Sequence, residues 1–256
     1  MITMLDPKTL TVLITGATAG LGAAFARRFA EAGSRVIGTG RRAERLDALQ
    51  RELGERCHTA VVDVRDRKAV EGFVAGLPAP FASINVAVAN AGLALGLEPA
   101  HKVELDDWED MVATNINGLL YTVRAVLPGM VERDEGHIVL IGSVAADYPY
   151  PGGNVYGATK AFVKQFGLNL RADLLGSSVR VTNIEPGMTE TEFALVRFKG
   201  DAAKAAAPYR GVHPMSAEEV AESVFWSCML PRHVNINRLQ LMPVQQAFGP
   251  FAFHRT

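Results

Sequence analysis

Short runs of β-branched residues alternate with longer helical patterns from residue 11 to about residue 184, and this alternation limits the possible folds most. It is typical of βαβ units, whose strands lie side by side in a parallel sheet. Predicted strands lie at residues 12–15, 35–39, 59–62, 84–89, 137–141, 179–184 and 238–241. Predicted helices lie at residues 21–32, 43–53, 67–76, 105–132, 153–175 and 217–229. Since several strands are almost wholly apolar, we expect helices on both faces of the sheet.

The alternation breaks at about residues 186–216, where proline and glycine interrupt any regular pattern. Long irregular segments in compact domains are usually functional, so we expect a substrate loop here. No internal repeat or low-complexity linker divides the 256 residues, which predicts a single domain over residues 1–256. An apolar C-terminal tail at about 242–256 is expected either to pack against a partner subunit or to fold onto its own domain.

Charge and cysteine content exclude several classes of protein. Twenty-six Lys and Arg against 27 Asp and Glu give a formal net charge of −1, which argues against nucleic-acid and membrane partners. Cys57 and Cys228 are too few for a disulfide framework, and the six histidines show no ligand spacing, so we predict no metal site. The first ten residues lack the apolar region of a secretory signal, so we expect a cytoplasmic protein.

A glycine-rich loop connects the first predicted strand to the first predicted helix. Gly16 allows a sharp turn, Gly20 allows the backbone to approach a pyrophosphate, and Gly22 allows close packing. The following helix N-terminus would face the negative charge. The pattern predicts a dinucleotide site, with a purely structural turn as the alternative. Thr18, Ala19 and Leu21 of the same loop are also predicted to contact the dinucleotide.

Two arginines follow the second predicted strand, about twenty residues after the loop. Folds that bind NAD usually place Asp or Glu here, against the ribose 2′-hydroxyl. Arg41 and Arg42 instead offer guanidinium groups that suit a 2′-phosphate, which favours NADP. The alternative is that one or both arginines are solvated at the start of the next helix.

Tyr156 and Lys160 lie four residues apart, which places them on one face of a predicted helix. An ammonium group beside a phenol stabilises the phenolate, so we expect the pKa of Tyr156 to be lowered. Ser143 follows a predicted strand at the carboxyl edge of the sheet, where ligands of open α/β sheets bind. The three residues together predict an acid/base tyrosine with a serine that holds a substrate oxygen.

With these motifs the chain resembles the classical short-chain dehydrogenase/reductase family over essentially its whole length. Further motifs that carry the resemblance are Asp63-Val64, Asn90-Ala91-Gly92, Asn115 and Pro186-Gly187. It implies an α/β Rossmann fold, with a doubly wound seven-stranded parallel sheet and helices on both faces. It also implies an NAD(P)-dependent oxidoreductase that acts on CH–OH groups, for which the two arginines favour NADP. Because the family commonly forms tetramers, we expect a homotetramer.

The resemblance also implies roles for individual residues. The implied catalytic group is Asn115, Ser143, Tyr156 and Lys160, in which Asn115 holds a water and Lys160 also binds the nicotinamide ribose. Asp63 and Val64 would contact adenine. The other implied cofactor residues are Asn90, Ala91, Gly92, Pro186, Gly187 and, on the nicotinamide side, Thr191.

Within the family, residues 92–101, 151–160, 196–201 and 231–237 resemble NADP-dependent 3-hydroxy acid dehydrogenases, which oxidise serine and L-allo-threonine. A buried carboxylate needs a cation, and Arg197 is the preferred candidate over Lys199 and Arg210, because a guanidinium can hold it through two parallel hydrogen bonds. Substrate residues are therefore Ser143, Tyr156 and Arg197. The alternatives are a reductase for another ketone or alcohol and a non-catalytic NADP-sensing protein.

Overall fold

The computed structural model describes residues 3–249, and within this range seven strands form one parallel sheet. The strands are β1 Thr11–Thr15, β2 Arg35–Gly40, β3 Cys57–Val61, β4 Val86–Ala89, β5 Gly136–Ile141, β6 Val179–Pro186 and β7 Arg238–Leu241. Their order across the sheet is β3-β2-β1-β4-β5-β6-β7. This confirms the predicted doubly wound α/β fold.

The order of the strands reverses between β1 and β4. Val12 of β1 pairs with Val36 of β2 on one side and with Val86 of β4 on the other. The chain therefore leaves β1 in one direction and later returns to the other side of it. Ligands of such sheets bind at the carboxyl ends of the strands beside this reversal, which places the candidate site after Thr15 and Ala89.

Helices cover both faces of the sheet. They are α1 Gly20–Glu31, α2 Ala43–Leu53, α3 Arg67–Ala75, α4 Leu105–Val112, α5 Gly118–Glu132, α6 Asn154–Asp173, α7 Phe193–Arg197, α8 Ala202–Ala206 and α9 Ala217–Met229. Because side chains alternate along a strand, Val12 and Ile14 pack with Phe25 of α1 and Val224 of α9, while Leu13 packs with the α5 and α6 side.

Two regions differ from the sequence prediction. The helix expected over 105–132 is interrupted by a π-helical turn at Ala113–Asn117, so it forms α4 and α5. The irregular segment at 186–216 contains α7 and α8, and a parallel bridge joins Thr189 to Met215 near its ends. The segment is therefore a structured flap attached at both ends. Residues 250–256 of the predicted tail lie outside the described residues.

Both cysteines are buried thiols. Within residues 3–249 no group of three or more His, Cys, Asp or Glu side chains is placed to hold a metal ion. Over the same range, no helix has the length and apolar character that a membrane crossing requires.

Candidate active site

A cleft of about 370 Å³ opens at the carboxyl edge of the sheet, beside the reversal of strand order. It brings together most of the residues selected from the sequence. The lining includes Gly16, Thr18, Ala19, Gly20, Leu21, Gly22, Arg41, Arg42, Asp63, Val64, Asn90, Ala91, Gly92, Ser143, Tyr156, Lys160, Pro186, Gly187 and Thr191. Of the predicted residues, Asn115 lies behind the wall of the cleft, and Arg197 contacts Tyr156 from the flap.

The glycine loop forms one wall of the cleft, and its geometry requires glycine. Gly16 and Gly20 have φ angles of +70° and +51°, in the left-handed region that favours glycine. A Cβ atom on Gly22 would lie 2.2 Å from the carbonyl oxygen of Gly16. The loop therefore packs its own backbone against the start of α1, where a side chain at Gly22 would not fit.

Thr15 attaches this loop to the segment after β4. Its Oγ1 accepts hydrogen bonds from the backbone N–H groups of Asn90 at 3.1 Å and Ala91 at 3.0 Å. In return, Nδ2 of Asn90 donates to the carbonyl oxygen of Thr15 at 2.8 Å. Thr15 was not among the predicted site residues, because its only signal in the sequence is a polar residue at the end of a buried strand. These bonds fix the two loops on either side of the reversal.

Arg42 extends along the end of the cleft that lies beyond β2. Its Nε and Nη2 donate to Oγ1 of Thr18 at 3.1 and 2.7 Å. Its Nη1 donates to Oε2 of Glu192, on the flap, at 3.0 Å. Arg41 lies beside it and is exposed. The structure thus places two guanidinium groups where the sequence analysis expected them, together with a carboxylate that it did not expect.

Asp63 also lines the cleft, just after β3, the strand next to β2. Its carboxylate accepts hydrogen bonds from Arg65, the shortest at 2.8 Å. The Arg65 hydrogen bonds hold the pKa of Asp63 below its usual range, so this group is charged near neutral pH. Its side chain therefore forms a fixed ion pair at the edge where adenine contacts are predicted.

Ser143, Tyr156 and Lys160 converge at the other end of the cleft. Ser143 begins a short turn after β5, and its Oγ accepts from the N–H of Ala145 at 3.1 Å. One turn apart on α6, Lys160 Nζ lies 5.8 Å from the centre of the Tyr156 ring. Lys160 is buried and donates to the carbonyl oxygen of Ile141 at 2.8 Å. The bond to β5 holds the ammonium group below the phenol.

The expectation of a lowered pKa for Tyr156 is not met in this structure. Burial raises the pKa of Tyr156 to about 12, and the Arg197 charge and a hydrogen bond with Ser143 oppose that rise only partly. Burial also lowers the pKa of Lys160 to about 8. Helical spacing indicated that the ammonium group would be near the phenol, but it carried no information on how far both groups are removed from water.

Asn115 lies in the π-helical turn and is buried. Its Oδ1 accepts from the N–H of Leu93 at 2.8 Å. Its Nδ2 donates to the Leu93 carbonyl at 2.8 Å and to Oγ1 of Thr159 at 3.1 Å. The amide group of Asn115 therefore joins the loop after β4 to α6 through hydrogen bonds to Leu93 and Thr159.

Arg197, at the end of α7, lies among aromatic side chains. Its Cζ is 4.9 Å from the ring centre of Tyr156, 5.4 Å from that of Phe193 and 5.7 Å from that of Tyr150. Its Nη2 donates to the Tyr150 hydroxyl at 2.6 Å. Its Nε is buried and has no hydrogen-bond partner among the described residues. Tyr150 and Phe193 were not among the predicted site residues, because no motif in the sequence distinguishes them from the other aromatic residues.

A profile of the short chain dehydrogenase family matches residues 10–201, which is most of the chain. The chain belongs to the short chain dehydrogenase family. This confirms the sequence-based assignment, and with it the class of oxidoreductases. The family match includes the glycine loop, the segment after β4 and the serine, tyrosine and lysine positions described above.

The similarity to individual short chain dehydrogenases covers nearly the whole chain. An NADP-dependent 3-hydroxy acid dehydrogenase of Salmonella typhi is 58% identical over 96% of this chain and 100% of its own length. A serine 3-dehydrogenase of Rhizobium radiobacter is 53% identical over 96% of this chain and 98% of its own. The solved closed form of a serine dehydrogenase complexed with NADP⁺ superposes with a TM-score of 0.92. That structure is 56% identical and covers 96% of this chain and 99% of its own.

Proposed function

We propose that this short chain dehydrogenase transfers a hydride reversibly between NADP and a 3-hydroxy acid such as serine or L-allo-threonine. The names of its similar relatives, a 3-hydroxy acid dehydrogenase and a serine 3-dehydrogenase, support this reaction. The observation that carries the substrate class is the position of Arg197, whose guanidinium group lies 4.9 Å from the centre of the Tyr156 ring.

Arg197 supplies the positive charge that a carboxylate substrate needs in a cleft lined by aromatic rings. Its Nε lacks a hydrogen-bond partner among the described residues, and a buried N–H of this kind favours an acceptor. If the substrate carboxylate accepts a hydrogen bond from this N–H, the hydroxyl-bearing carbon of the substrate would lie on the side of Tyr156 and Ser143. A second cation is not needed for that geometry, because a guanidinium can hold both carboxylate oxygens.

Tyr156 is the proposed acid and base, and Ser143 the proposed hydrogen-bond partner of the substrate oxygen. In oxidation the Tyr156 phenolate takes the proton of the substrate hydroxyl, and in reduction the phenol returns it. Because burial raises the pKa of Tyr156 to about 12, the protonated phenol dominates near neutral pH. Lys160, held by its hydrogen bond to Ile141, is proposed to position a positive charge near the phenol. Asn115 is proposed to stabilise the surrounding structure through its hydrogen bonds to Leu93 and Thr159.

The cleft fits NADP. When bound, NADP supplies the group that accepts or donates the hydride. The left-handed φ angles of Gly16 and Gly20 and the absence of a side chain at Gly22 leave backbone N–H groups available to a pyrophosphate. Arg41 and Arg42 are proposed to bind the 2′-phosphate, Asp63 and Val64 to flank adenine, and Lys160 and Thr191 to lie on the nicotinamide side. The remaining proposed cofactor contacts are Thr18, Ala19, Leu21, Asn90, Ala91, Gly92, Pro186 and Gly187.

A substrate panel tests the proposed function directly. Serine, L-allo-threonine, 3-hydroxybutyrate and a simple secondary alcohol of similar size would each be assayed with NADP and with NAD. We expect the highest kcat/KM for a 3-hydroxy acid with NADP. A preference for uncharged alcohols would contradict the substrate class, and a lack of turnover with every substrate would favour the NADP-sensing alternative.

We also propose that residues 1–256 act as one domain in a cytoplasmic homotetramer. Strands from Thr11 to Leu241 share one sheet, which supports a single folding unit. Leu105 on α4, Leu168 on α6 and Trp226 on α9 are exposed apolar side chains that a subunit interface would bury. Sedimentation equilibrium would measure the mass of the assembly, and a monomer mass at micromolar concentration would contradict the proposal.

A further inference from the structure

Glu192, the residue just before α7, lines the cleft and contacts two arginines beyond the carboxyl end of β2. Its Oε1 and Oε2 accept from Nη1 of Arg45 at 2.7 and 2.9 Å, and Oε2 also accepts from Nη1 of Arg42 at 3.0 Å. About 41% of the Glu192 side chain is exposed, so the carboxylate is held at the mouth of the cleft. It joins the flap to the wall formed by the end of β2 and the start of α2.

The three charges are paired in a way that keeps Glu192 ionised. The Arg45 and Arg42 hydrogen bonds hold the pKa of Glu192 below its usual range. A carboxylate with two guanidinium partners is therefore an anion near neutral pH. It occupies the position beside Arg42 that the proposed cofactor would fill with another anion.

The donors of Arg42 show why the two anions compete. Its Nε and Nη2 both donate hydrogen bonds to Oγ1 of Thr18, so this edge of the guanidinium group already has a partner in the protein. A phosphate held by two parallel hydrogen bonds needs the other edge, formed by Nη1 and Nη2. Glu192 already accepts from Nη1 on that edge.

We propose that Glu192 competes with the 2′-phosphate of NADP for Arg42, and so reduces the chain's preference for NADP over NAD. This inference rests on the proposed binding of NADP at Arg42. When the phosphate takes the Nη1 and Nη2 edge, Glu192 keeps its two contacts with Arg45 and stays next to the phosphate. With NAD, which has a hydroxyl in place of the phosphate, the Glu192 contact with Arg42 persists.

Binding measurements without substrate test the competition. The ligands are NADP, NAD, adenosine 2′,5′-bisphosphate and 5′-AMP, each titrated calorimetrically into the full chain and into Glu192→Gln at one ionic strength. The two mononucleotides lack nicotinamide, so their affinities report the adenosine end alone. We expect Glu192→Gln to lower the Kd of NADP and of the bisphosphate about two- to fivefold, as for loss of a partly exposed ion pair. The Kd values of NAD and 5′-AMP should change less than about twofold by the same reasoning.

Glu190→Gln is the matched control, because it removes the same charge from an exposed position two residues earlier in the flap. It should leave all four Kd values nearly unchanged. An unchanged or weaker affinity for NADP in Glu192→Gln would overturn the inference, as would an equal gain for NADP and NAD. The first result would assign Glu192 to closing the flap, and the second to a general charge effect.

Arg42→Ala separates this inference from the proposed cofactor site. If Arg42→Ala weakens NADP binding and Glu192→Gln has no effect, the cofactor site stands and the competition fails. If Arg42→Ala leaves NADP binding unchanged, Arg42 does not hold the phosphate, and the competition at Arg42 fails with it. In the double variant, the gain from Glu192→Gln should disappear, because the shared partner has been removed.

Discussion

Arg197 donates a hydrogen bond from Nη2 to the hydroxyl of Tyr150 at 2.6 Å, and this contact holds the guanidinium group beside Tyr156. Tyr150 precedes α6 and Arg197 ends α7, so the bond joins the flap to the wall that carries the proposed acid/base residue. The backbone carbonyl of Arg197 also accepts from the N–H of Gly96 at 2.8 Å. The flap is therefore tied down at the residue proposed to bind the substrate carboxylate.

Tyr150→Phe tests whether this bond positions Arg197. The change removes the hydroxyl and keeps the ring, so we expect KM for 3-hydroxy acids to rise about tenfold, in line with a lost hydrogen bond to a charged group. An uncharged secondary alcohol should be little affected. Tyr148→Phe is the control, because its hydroxyl bonds to Gln240 instead. Equal effects on charged and uncharged substrates would show that Tyr150 only orders the flap.

Arg197→Ala tests the carboxylate partner itself. Removing the guanidinium leaves a substrate carboxylate without a cation, so KM for acids should rise by about 10- to 100-fold, while an uncharged alcohol changes far less. Lys199→Ala is a suitable comparison, since Lys199 pairs with Asp107 at 2.8 Å on the exposed side of the flap. If Lys199→Ala gives the larger effect on acids, the carboxylate partner has been assigned to the wrong residue.

Tyr156→Phe tests the proton transfer. The phenylalanine ring can keep the contacts with Phe193 and Arg197, so the fold and NADP binding should be preserved. Turnover should fall by at least about 100-fold, the usual effect of losing a general acid or base. Steady-state kinetics with circular dichroism and an NADP titration separate these effects. Near-normal turnover in a folded variant would remove Tyr156 from the mechanism.

Arg41→Ala and Arg42→Ala test cofactor selection. Loss of a charge-assisted contact to the 2′-phosphate should lower kcat/KM for NADP about tenfold or more and leave the value for NAD almost unchanged. We expect the larger effect at Arg42, whose guanidinium group is fixed by Thr18. The ratio of kcat/KM for the two cofactors is the measurement. Unchanged ratios in both variants would contradict the assignment of the phosphate to this pair.

The pH dependence follows from the raised pKa of Tyr156. Oxidation needs the phenolate, which is the minor form below a pKa of about 12, so oxidative kcat/KM should rise up to about tenfold per pH unit from pH 7 to 9. The rise should be less steep above pH 8, because Lys160, with a pKa of about 8, then loses the charge that favours the phenolate. Reduction needs the phenol, the major form throughout this range, and should show no such rise. 3-Hydroxybutyrate is the suitable substrate, because it has no amine that titrates there. An oxidative plateau below pH 8 would mean that the phenol titrates far lower in the working complex.

The fold could be predicted because its signals are local. Each buried strand is a short apolar run, and each turn after a strand is marked by residues such as Gly16 and Asn90. The π-helical turn at Ala113–Asn117 could not be predicted, because the helical pattern runs through it without a break. It arises where the Asn115 amide bonds to Leu93 and Thr159, which are distant in the chain.

The candidate site could be predicted in its composition but not in its energetics. Motif spacing selected Ser143, Tyr156 and Lys160, and the structure places all three at one end of the cleft. Spacing did not reveal Glu192, whose partner Arg42 is 150 residues away in sequence. It also gave the wrong direction for the pKa of Tyr156, because burial depends on packing from several elements.

Glu192 immediately precedes the short helix α7, and Arg197 is the last residue of that helix. At about 1.5 Å per residue, its five residues span only roughly 7 Å and offer little room for bending. We therefore expect a shift of Glu192 at the cofactor end to act on Arg197 at the substrate end. Coupling between two binding events is reciprocal. Any change in substrate affinity that the cofactor phosphate causes through α7 must be matched by an equal change in cofactor affinity caused by the substrate carboxylate.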